Sequence, residues 1–231
     1  MAEPVHGCLR TLHETLTPDD FNPLQSSHGF TLLVNNYAAR AVVPALCRNV
    51  ADAAPNVTVD VRPLGTLDVL DQLDAGGADA AITKLVDGGE RFKYVRITDD
   101  GFVALFDRQH PAADHNELSL ERLAEIPHIA VTPNGDDTSF VDEALEAHGL
   151  TRKIAIRVPF LSIVLMLVGS DRLAVVPRRP ANGLAGACPL VVRELPLASP
   201  RTTLSMIWHR RLDNHPAQRW PRSMIRASVQ D

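Results

Sequence analysis

From about residue 30 onwards, short apolar runs typical of strands alternate with segments whose apolar residues have helical spacing. Phe30–Val34 is predicted to be a strand, and the residues after Asn35-Asn36-Tyr37 carry apolar side chains at helical spacing until Ala54-Pro55. Asn favours helix starts because its side chain accepts a hydrogen bond from an unpaired amide. Pro44 has no amide hydrogen, so the helix either starts late or kinks there. The apolar positions are Ala39, Val42, Val43, Leu46 and Val50.

The start of this helix predicts a small anion-binding corner at the end of the first strand, because free amides and the helix dipole favour negative charge. The alternative is an ordinary strand–turn–helix. Two further strands, 57–61 and 78–82, flank a short helix that Thr66 is expected to cap. This strand–helix repeat indicates an α/β protein with a parallel sheet. Ligands of such sheets bind at the carboxyl ends of strands, where Asn35, Asn36, Thr83 and Lys84 fall.

A second α/β unit follows a change of texture near residues 105–110. Its strands are predicted at 128–131, 153–158, 172–176 and, at an edge, 190–195. The last strand, 202–209, and the helix after it have no partner there, so we expect both to return to the first unit. We therefore predict a linker at 1–26, a first lobe of 27–105 plus 206–231, and a second lobe of 106–205. Two crossovers imply a hinge and an inter-lobe cleft, a common place for ligands.

Composition narrows the function further. The net charge of −5 and pI near 6.0 argue against a surface that grips nucleic acid over its whole face. Three scattered cysteines favour a reducing compartment over a disulfide framework. The chain shows no span-length apolar run and no secretion signal, so a cytoplasmic protein is expected. It also lacks a nucleophile elbow, a phosphate loop and a zinc-spaced Cys/His set, so we expect no enzyme, no cofactor and no metal.

Short motifs in a fixed order over residues 20–225 carry a family resemblance. They are Asp20-Phe21-Asn22-Pro23, Asn36-Tyr37-Ala38-Ala39, Val59-Asp60-Val61-Arg62-Pro63, Gly77-Ala78-Asp79-Ala80-Ala81-Ile82, His110-Pro111, Pro127-His128, Arg157-Val158-Pro159, Gly169-Ser170-Asp171, Pro177-Arg178-Arg179, Trp208-His209-Arg210-Arg211 and Arg219-Trp220. This order resembles the effector-binding region of LysR-type transcriptional regulators, nearest to the branch that senses aromatic acids and nodulation signals.

The resemblance implies a type-2 periplasmic-binding-protein fold, an inducer cleft and dimerisation through the lobes. In that family a winged helix-turn-helix and a linker helix precede this region, and here only residues 1–26 precede the first strand. We therefore expect DNA contact only through a head absent from this chain. The expected effector is an aromatic or other small carboxylate.

The candidate ligand contacts share a position at strand ends or in adjoining loops. They are Asn35, Asn36, Tyr37, Thr83, Lys84, His110, Pro133, Asn134, Phe160, Leu161, Val176 and Pro177. Each candidate also has a purely structural interpretation. The asparagines could simply cap the helix, Lys84 could be a solvated loop residue, the apolar residues could pack in the core, and His110 could lie in a surface turn. Cys47 is expected to be a buried thiol, and Asp99-Asp100 a turn.

Four functions remain open. The first is an effector-binding domain. The others are an enzyme on the same two-lobed fold, an exported solute carrier and a bare dimerisation module. A turnover assay, cell fractionation and a pull-down, respectively, distinguish these three from the first.

Overall fold

The structure, a computed structural model, describes residues 21–64, 68–84, 86–131, 140–169, 171–186 and 188–229, without the side chain of Leu165. Its strands are β1 Gly29–Val34, β2 Thr58–Pro63, β3 Ala80–Thr83, β4 Phe92–Asp100, β5 Phe102–Asp107, β6 His128–Val131, β7 Ile154–Val158, β8 Leu173–Pro177, β9 Leu190–Glu194 and β10 Thr202–His209. Its helices are α1 Asn36–Ala41, α2 Val43–Ala53, α3 Val69–Asp74, α4 Leu120–Glu125, α5 Phe140–Glu146, α6 Leu161–Leu167, α7 Arg178–Ala185 and α8 Pro216–Ala227.

The chain divides into two compact units. One comprises residues up to Thr98 together with those from Thr203 onwards, and the other comprises Asp99–Thr202. Each unit holds one five-stranded sheet. The chain therefore passes from one unit to the other twice.

The first sheet has the order β2-β1-β3-β10-β4. Strand β1 lies parallel to β2 and β3, whereas β10 pairs antiparallel with β3. The predicted return of the last strand to the first unit is therefore confirmed. Helix α8 returns with it, because Gln218 donates a 2.9 Å hydrogen bond to the buried carboxylate of Asp79, which precedes β3.

The helix after β1 is interrupted at Val42, and Pro44 lies in the first turn of the second segment, α2. The missing amide of Pro44 is harmless there, because the first amides of a helix have no intrahelical acceptor. The buried side chains are Ala38, Val42, Leu46 and Val50. Two expectations were wrong: Ala39 is exposed, and so is the thiol of Cys47. The break at Val42 rotates α1 relative to an unbroken helix, so the regular spacing fails there.

The second sheet has the order β7-β6-β8-β5-β9. Strand β5 pairs antiparallel with both β8 and β9, so residues 102–107 belong to this sheet and the passage between units precedes them. The change of texture near residues 105–110 had predicted a later passage. Strand β9 lies at the edge, as predicted.

Three local features differ from the expectations. Asp68, rather than Thr66, caps α3 by accepting a hydrogen bond from the amide of Leu70, and Thr66 lies outside the described residues. Asp99 and Asp100 end strand β4 and do not form a turn. Helix α7 was not predicted, because its start, Arg178-Arg179-Pro180, has the composition of a loop.

Candidate functional site

The ends of β1 and β3 form one corner of the first unit. Val34 is the register partner of Ile82, and the amide of Asn35 donates a 3.2 Å hydrogen bond to the carbonyl of Ile82. Asn35 therefore lies beside Thr83, where β3 ends and Lys84 follows. The structure thus brings together the polar residues that the sequence placed at these two strand ends.

Asn35 is the N-cap of α1. Its side-chain oxygen Oδ1 accepts a 2.8 Å hydrogen bond from the amide of Ala38. Because Oδ1 is engaged in the cap, the group that this side chain still offers is the donor Nδ2. The amide of Ala38 is already used by the cap, which removes one of the donors that the predicted anion corner relied on.

The other residues of this corner differ in exposure. Asn36 and Tyr37 open α1 and are half-buried, and the ring of Tyr37 packs against the core of the first unit. Thr83 is buried, with 8% of its surface exposed, whereas Lys84 is exposed. Lys84 forms no ion pair with any other residue that the structure describes. The corner therefore presents an ammonium group beside two neutral polar side chains.

The second unit carries its candidates at the ends of β7 and β8. Phe160 precedes α6 and has 55% of its surface exposed. Leu161 and Val176 are 3% and 1% exposed and pack into the core of this unit. Pro177 ends β8, is half-buried and immediately precedes α7. Among these four, Phe160 is the most exposed residue.

His110 has a defined structural role. Its Nδ1 accepts a 3.0 Å hydrogen bond from the amide of Ala112 and so caps a short 3-10 helix, Pro111–Asp114. Its ring lies 5.4 Å from that of Phe106, and 7% of the residue is exposed. Burial lowers the pKa of His110, with Arg122 adding to the effect and the carboxylates of Asp171 and Asp107 opposing it. Its lowered pKa makes the ring harder to protonate than a free imidazole, and its Nδ1 is already engaged in the cap.

Pro133 and Asn134 lie outside the described residues, so their candidacy stays a prediction. Ser205 was not among the predicted contacts, although it is buried and lies opposite Thr83 in the neighbouring strand β10. Its signal was the return of β10 to the first sheet, which places the residues around 205 next to the end of β3.

The described residues include neither a metal-binding cluster nor a membrane-spanning helix. They contain no cluster of three or more His, Cys, Asp or Glu side chains that would hold a metal ion. None of their helices combines the length and apolarity needed to cross a bilayer.

Comparison with known families identifies the domain. Residues 25–230 match the family described as the LysR substrate binding domain. The chain belongs to the LysR substrate-binding domain family. Its fold is therefore the periplasmic-binding-protein-like α/β fold of that family, and its function is that of the effector-binding domain of a LysR-type transcriptional regulator.

Individual proteins that resemble this LysR domain support the family assignment. The chain is 27% identical over 227 residues to the HTH-type transcriptional activator NagR of Ralstonia sp, covering 97% of this chain and 75% of NagR. It is 28% identical over 231 residues to nodulation protein D 3 of Mesorhizobium japonicum. A solved structure of a putative transcriptional regulator from Vibrio parahaemolyticus superposes with a TM-score of 0.78 at 30% identity, covering 91% of this chain and 97% of that one. The resemblance seen in the sequence is thereby confirmed.

Proposed function

We propose that this LysR effector-binding domain binds a small carboxylate, with its anionic group in the corner formed by Asn35, Thr83 and Lys84. The observation that carries the proposal is the hydrogen bond between Asn35 and Ile82, which holds two strand ends together. Such strand ends are where open α/β sheets bind their ligands. The chemistry of the corner then selects the ligand.

That chemistry consists mainly of donors. The cap bond occupies Oδ1 of Asn35 and leaves Nδ2 as the donor of that side chain, Thr83 contributes a hydroxyl, and Lys84 contributes an ammonium. A carboxylate is an acceptor at both oxygens and is stabilised by a nearby ammonium. Helix α1 has only six residues, so its dipole adds little and the side chains carry the argument.

An aromatic body for this carboxylate is supported by two rings. Tyr37 lies two residues after Asn35, and its half-buried ring packs against the core of the first unit. In the second unit, Phe160 offers an exposed ring of its own at the end of β7. Aromatic side chains favour planar ligands through offset or edge-on packing. The remaining candidate contacts, namely Asn36, His110, Pro133, Asn134, Leu161, Val176 and Pro177, belong to the same proposal.

The effector would act by shifting an equilibrium between conformations of the domain. It can do so only to the extent that it binds one conformation more tightly than the other. In this proposal the domain is a non-catalytic, cytoplasmic homodimer, and DNA is contacted by residues outside this chain. The name of NagR, an HTH-type transcriptional activator, supports a role in regulating transcription. Light scattering tests the dimer, and a turnover assay with bound carboxylates tests the absence of catalysis.

The experiment on Asn35 separates a ligand contact from a plain cap. Asn35→Asp and Asn35→Ser both retain a capping oxygen, so both variants should keep the melting temperature of the parent protein within a few degrees. Asn35→Asp also places a negative charge at the proposed anion site. We expect it to weaken benzoate binding by roughly tenfold or more, whereas Asn35→Ser weakens binding only modestly.

Calorimetry with benzoate and with benzamide, its neutral counterpart, provides the measurement. If benzoate binds the Asp and Ser variants equally well, the cap is the whole role of Asn35 and the corner is not the site. If no aromatic or aliphatic carboxylate in a panel binds the parent protein, the carboxylate proposal itself fails.

Lys84 is tested against Lys153, another exposed lysine, which lies just before β7 in the second unit. Both Lys→Gln changes remove one positive charge from the molecule. Only Lys84→Gln should weaken carboxylate binding, because long-range effects of exposed charges are screened beyond about 10 Å in dilute salt. Equal losses in the two variants would point to net charge rather than to a specific contact.

A further inference from the structure

Two consecutive acidic residues, Asp99 and Asp100, lie where the chain passes from the first unit to the second. They end strand β4, and successive side chains of a strand point to opposite faces. Asp99 has an exposed side chain, whereas Asp100 is buried with 4% of its surface exposed. The two carboxylates therefore meet different surroundings.

Asp99 is bound by the segment on which the chain returns. Nε of Arg201 donates a 2.9 Å hydrogen bond to the carboxylate of Asp99, and Nη2 donates a 3.0 Å bond to its backbone carbonyl. One guanidinium group thus holds both the side chain and the main chain of the outgoing segment. This is more restrictive than a single surface ion pair, because two separate bonds fix the arginine.

Asp100 is bound by a helix of the second unit. Its Oδ2 accepts a 2.9 Å hydrogen bond from the amide of Arg179, in the first turn of α7. The next backbone group, the carbonyl of Gly101, accepts a 2.9 Å bond from the amide of Arg178. The chain's own carboxylate therefore occupies the positive end of an eight-residue helix.

A weaker bond continues the pairing of the two segments on the side of the first unit. The amide of Leu204 donates to the side-chain oxygen of Thr98 over 3.3 Å. Both of these residues are buried. The outgoing and returning segments are therefore joined side by side from residue 98 to residue 99 and from 201 to 204.

We propose that Asp99 and Asp100 fasten the two connecting segments into one paired ribbon anchored on α7, so that the segments loosen together and not separately. Asp99 joins the outgoing strand to the returning one, and Asp100 joins the same strand to the helix. The fastening is a conformational device, distinct from the proposed effector corner. It requires no knowledge of the effector for its test.

The first test uses hydrogen exchange on Arg201→Gln, with Arg62→Gln as the matched control. Arg62 pairs with Asp60 on β2, and its side chain is 54% exposed against 63% for Arg201. We expect Arg201→Gln to speed exchange of the amide of Leu204 roughly two- to fivefold, the range for losing an exposed ion pair. The control should leave that amide unchanged. Equal rates at Leu204 in both variants would overturn the role of Asp99.

The second test removes the buried carboxylate. In Asp100→Ala, exchange should rise roughly tenfold or more both at the start of α7 and at residues 199–204, because a buried charge-assisted bond is lost. Faster exchange at α7 alone would show that the two attachments are independent and would overturn the ribbon. Asp100→Asn keeps an acceptor oxygen without the charge, and it should give a smaller change in the same two segments.

Chemical rescue guards against general unfolding of the Ala variant. Excess acetate should slow exchange at α7 and at 199–204 towards parent values, because it restores a carboxylate at the helix start. Chloride at the same ionic strength should not. If exchange in Asp100→Ala also rises in distant strands such as β1, the Ala variant is partly unfolded and Asp100→Asn becomes the test. Exchange rates in Asp100→Asn that equal those of the parent protein at α7 and at 199–204 would refute the proposal.

Discussion

His128 predicts how the second unit responds to acid. The residue begins β6 and is fully buried, and its Nδ1 donates a 2.9 Å hydrogen bond to the carbonyl of Ile126. Its Nε2 has no hydrogen-bond partner among the described residues. Burial, reinforced by the positive charge of Arg152, lowers the pKa of His128 from 6.5 to about 4, although the Ile126 carbonyl and Asp142 oppose the shift. The folded protein thus resists protonation at this site.

The sign of the pH effect follows from these two pKa values. The unfolded chain takes up a proton on His128 near pH 6.5, whereas the folded chain does so only near pH 4. Between these values the unfolded state binds more protons, so the free energy of unfolding falls as the pH falls. The loss amounts to about 2 kcal/mol between roughly pH 7 and pH 5, and approaches about 3 kcal/mol below pH 4. Above pH 6.5 the penalty fades as the unfolded-state histidine also loses its proton.

The assay compares the parent protein with His128→Asn. Asparagine can reproduce the donor to the Ile126 carbonyl but does not titrate, so its unfolding free energy should depend less on pH by about the amount above. Urea unfolding should be followed through amide exchange in β6. Both tryptophans, Trp208 and Trp220, lie in the first unit and do not report on the second directly. Identical pH dependence in parent and variant would refute the reasoning, and His148→Asn, at an exposed histidine, serves as the control.

Four further substitutions test which contacts stabilise each unit internally. Asp79→Ala should destabilise the first unit by about 3 kcal/mol, measured by urea unfolding followed by tryptophan fluorescence, because it leaves the amides of Thr31 and Gln218 without their acceptor. Arg222→Lys should cost about 2 kcal/mol in the same assay, because lysine cannot replace both bonds to the main chain and the contact over the Trp208 ring at 4.8 Å; a neutral result would show that packing alone matters there. Leu161→Ala should destabilise the second unit by about 2–5 kcal/mol, whereas exposed Phe160→Ala should change its stability by less than about 1 kcal/mol, as measured by amide exchange in β6.

The sequence predicted the sheets better than the connections. Strands such as β1 and β6 stand out because a short apolar run must be buried on both faces, and the unpaired last strand had only one sheet left to join. Helix α7 escaped prediction because its stability comes from tertiary contacts. Asp100 binds its start, and Pro180 is tolerated in its first turn. Neither feature shows in the local pattern of a segment rich in arginine and proline.

The candidate site divides in the same way. Positions at strand ends, such as Asn35 and Thr83, follow from the parallel sheet and were found. What each side chain does there was not predictable, because it depends on partners distant in sequence or on backbone geometry. His110 is engaged as a cap, and Val176 is packed into the core. The difference in exposure between Phe160 and Leu161 arises from tertiary packing and cannot be read from two adjacent apolar residues in the sequence.

The first unit is discontinuous in the chain, since β10 and α8 are separated from β1–β4 by the whole of the second unit. During synthesis the ribosome makes the entire second unit before it makes the strand that lies between β3 and β4. Strands β1–β4 therefore lack the strand that joins β3 to β4 until β10 has been made, whereas all strands of the second unit precede β10 in the chain. A released chain that ends after residue 202 should accordingly hold a protease-resistant second unit and a protease-sensitive first one.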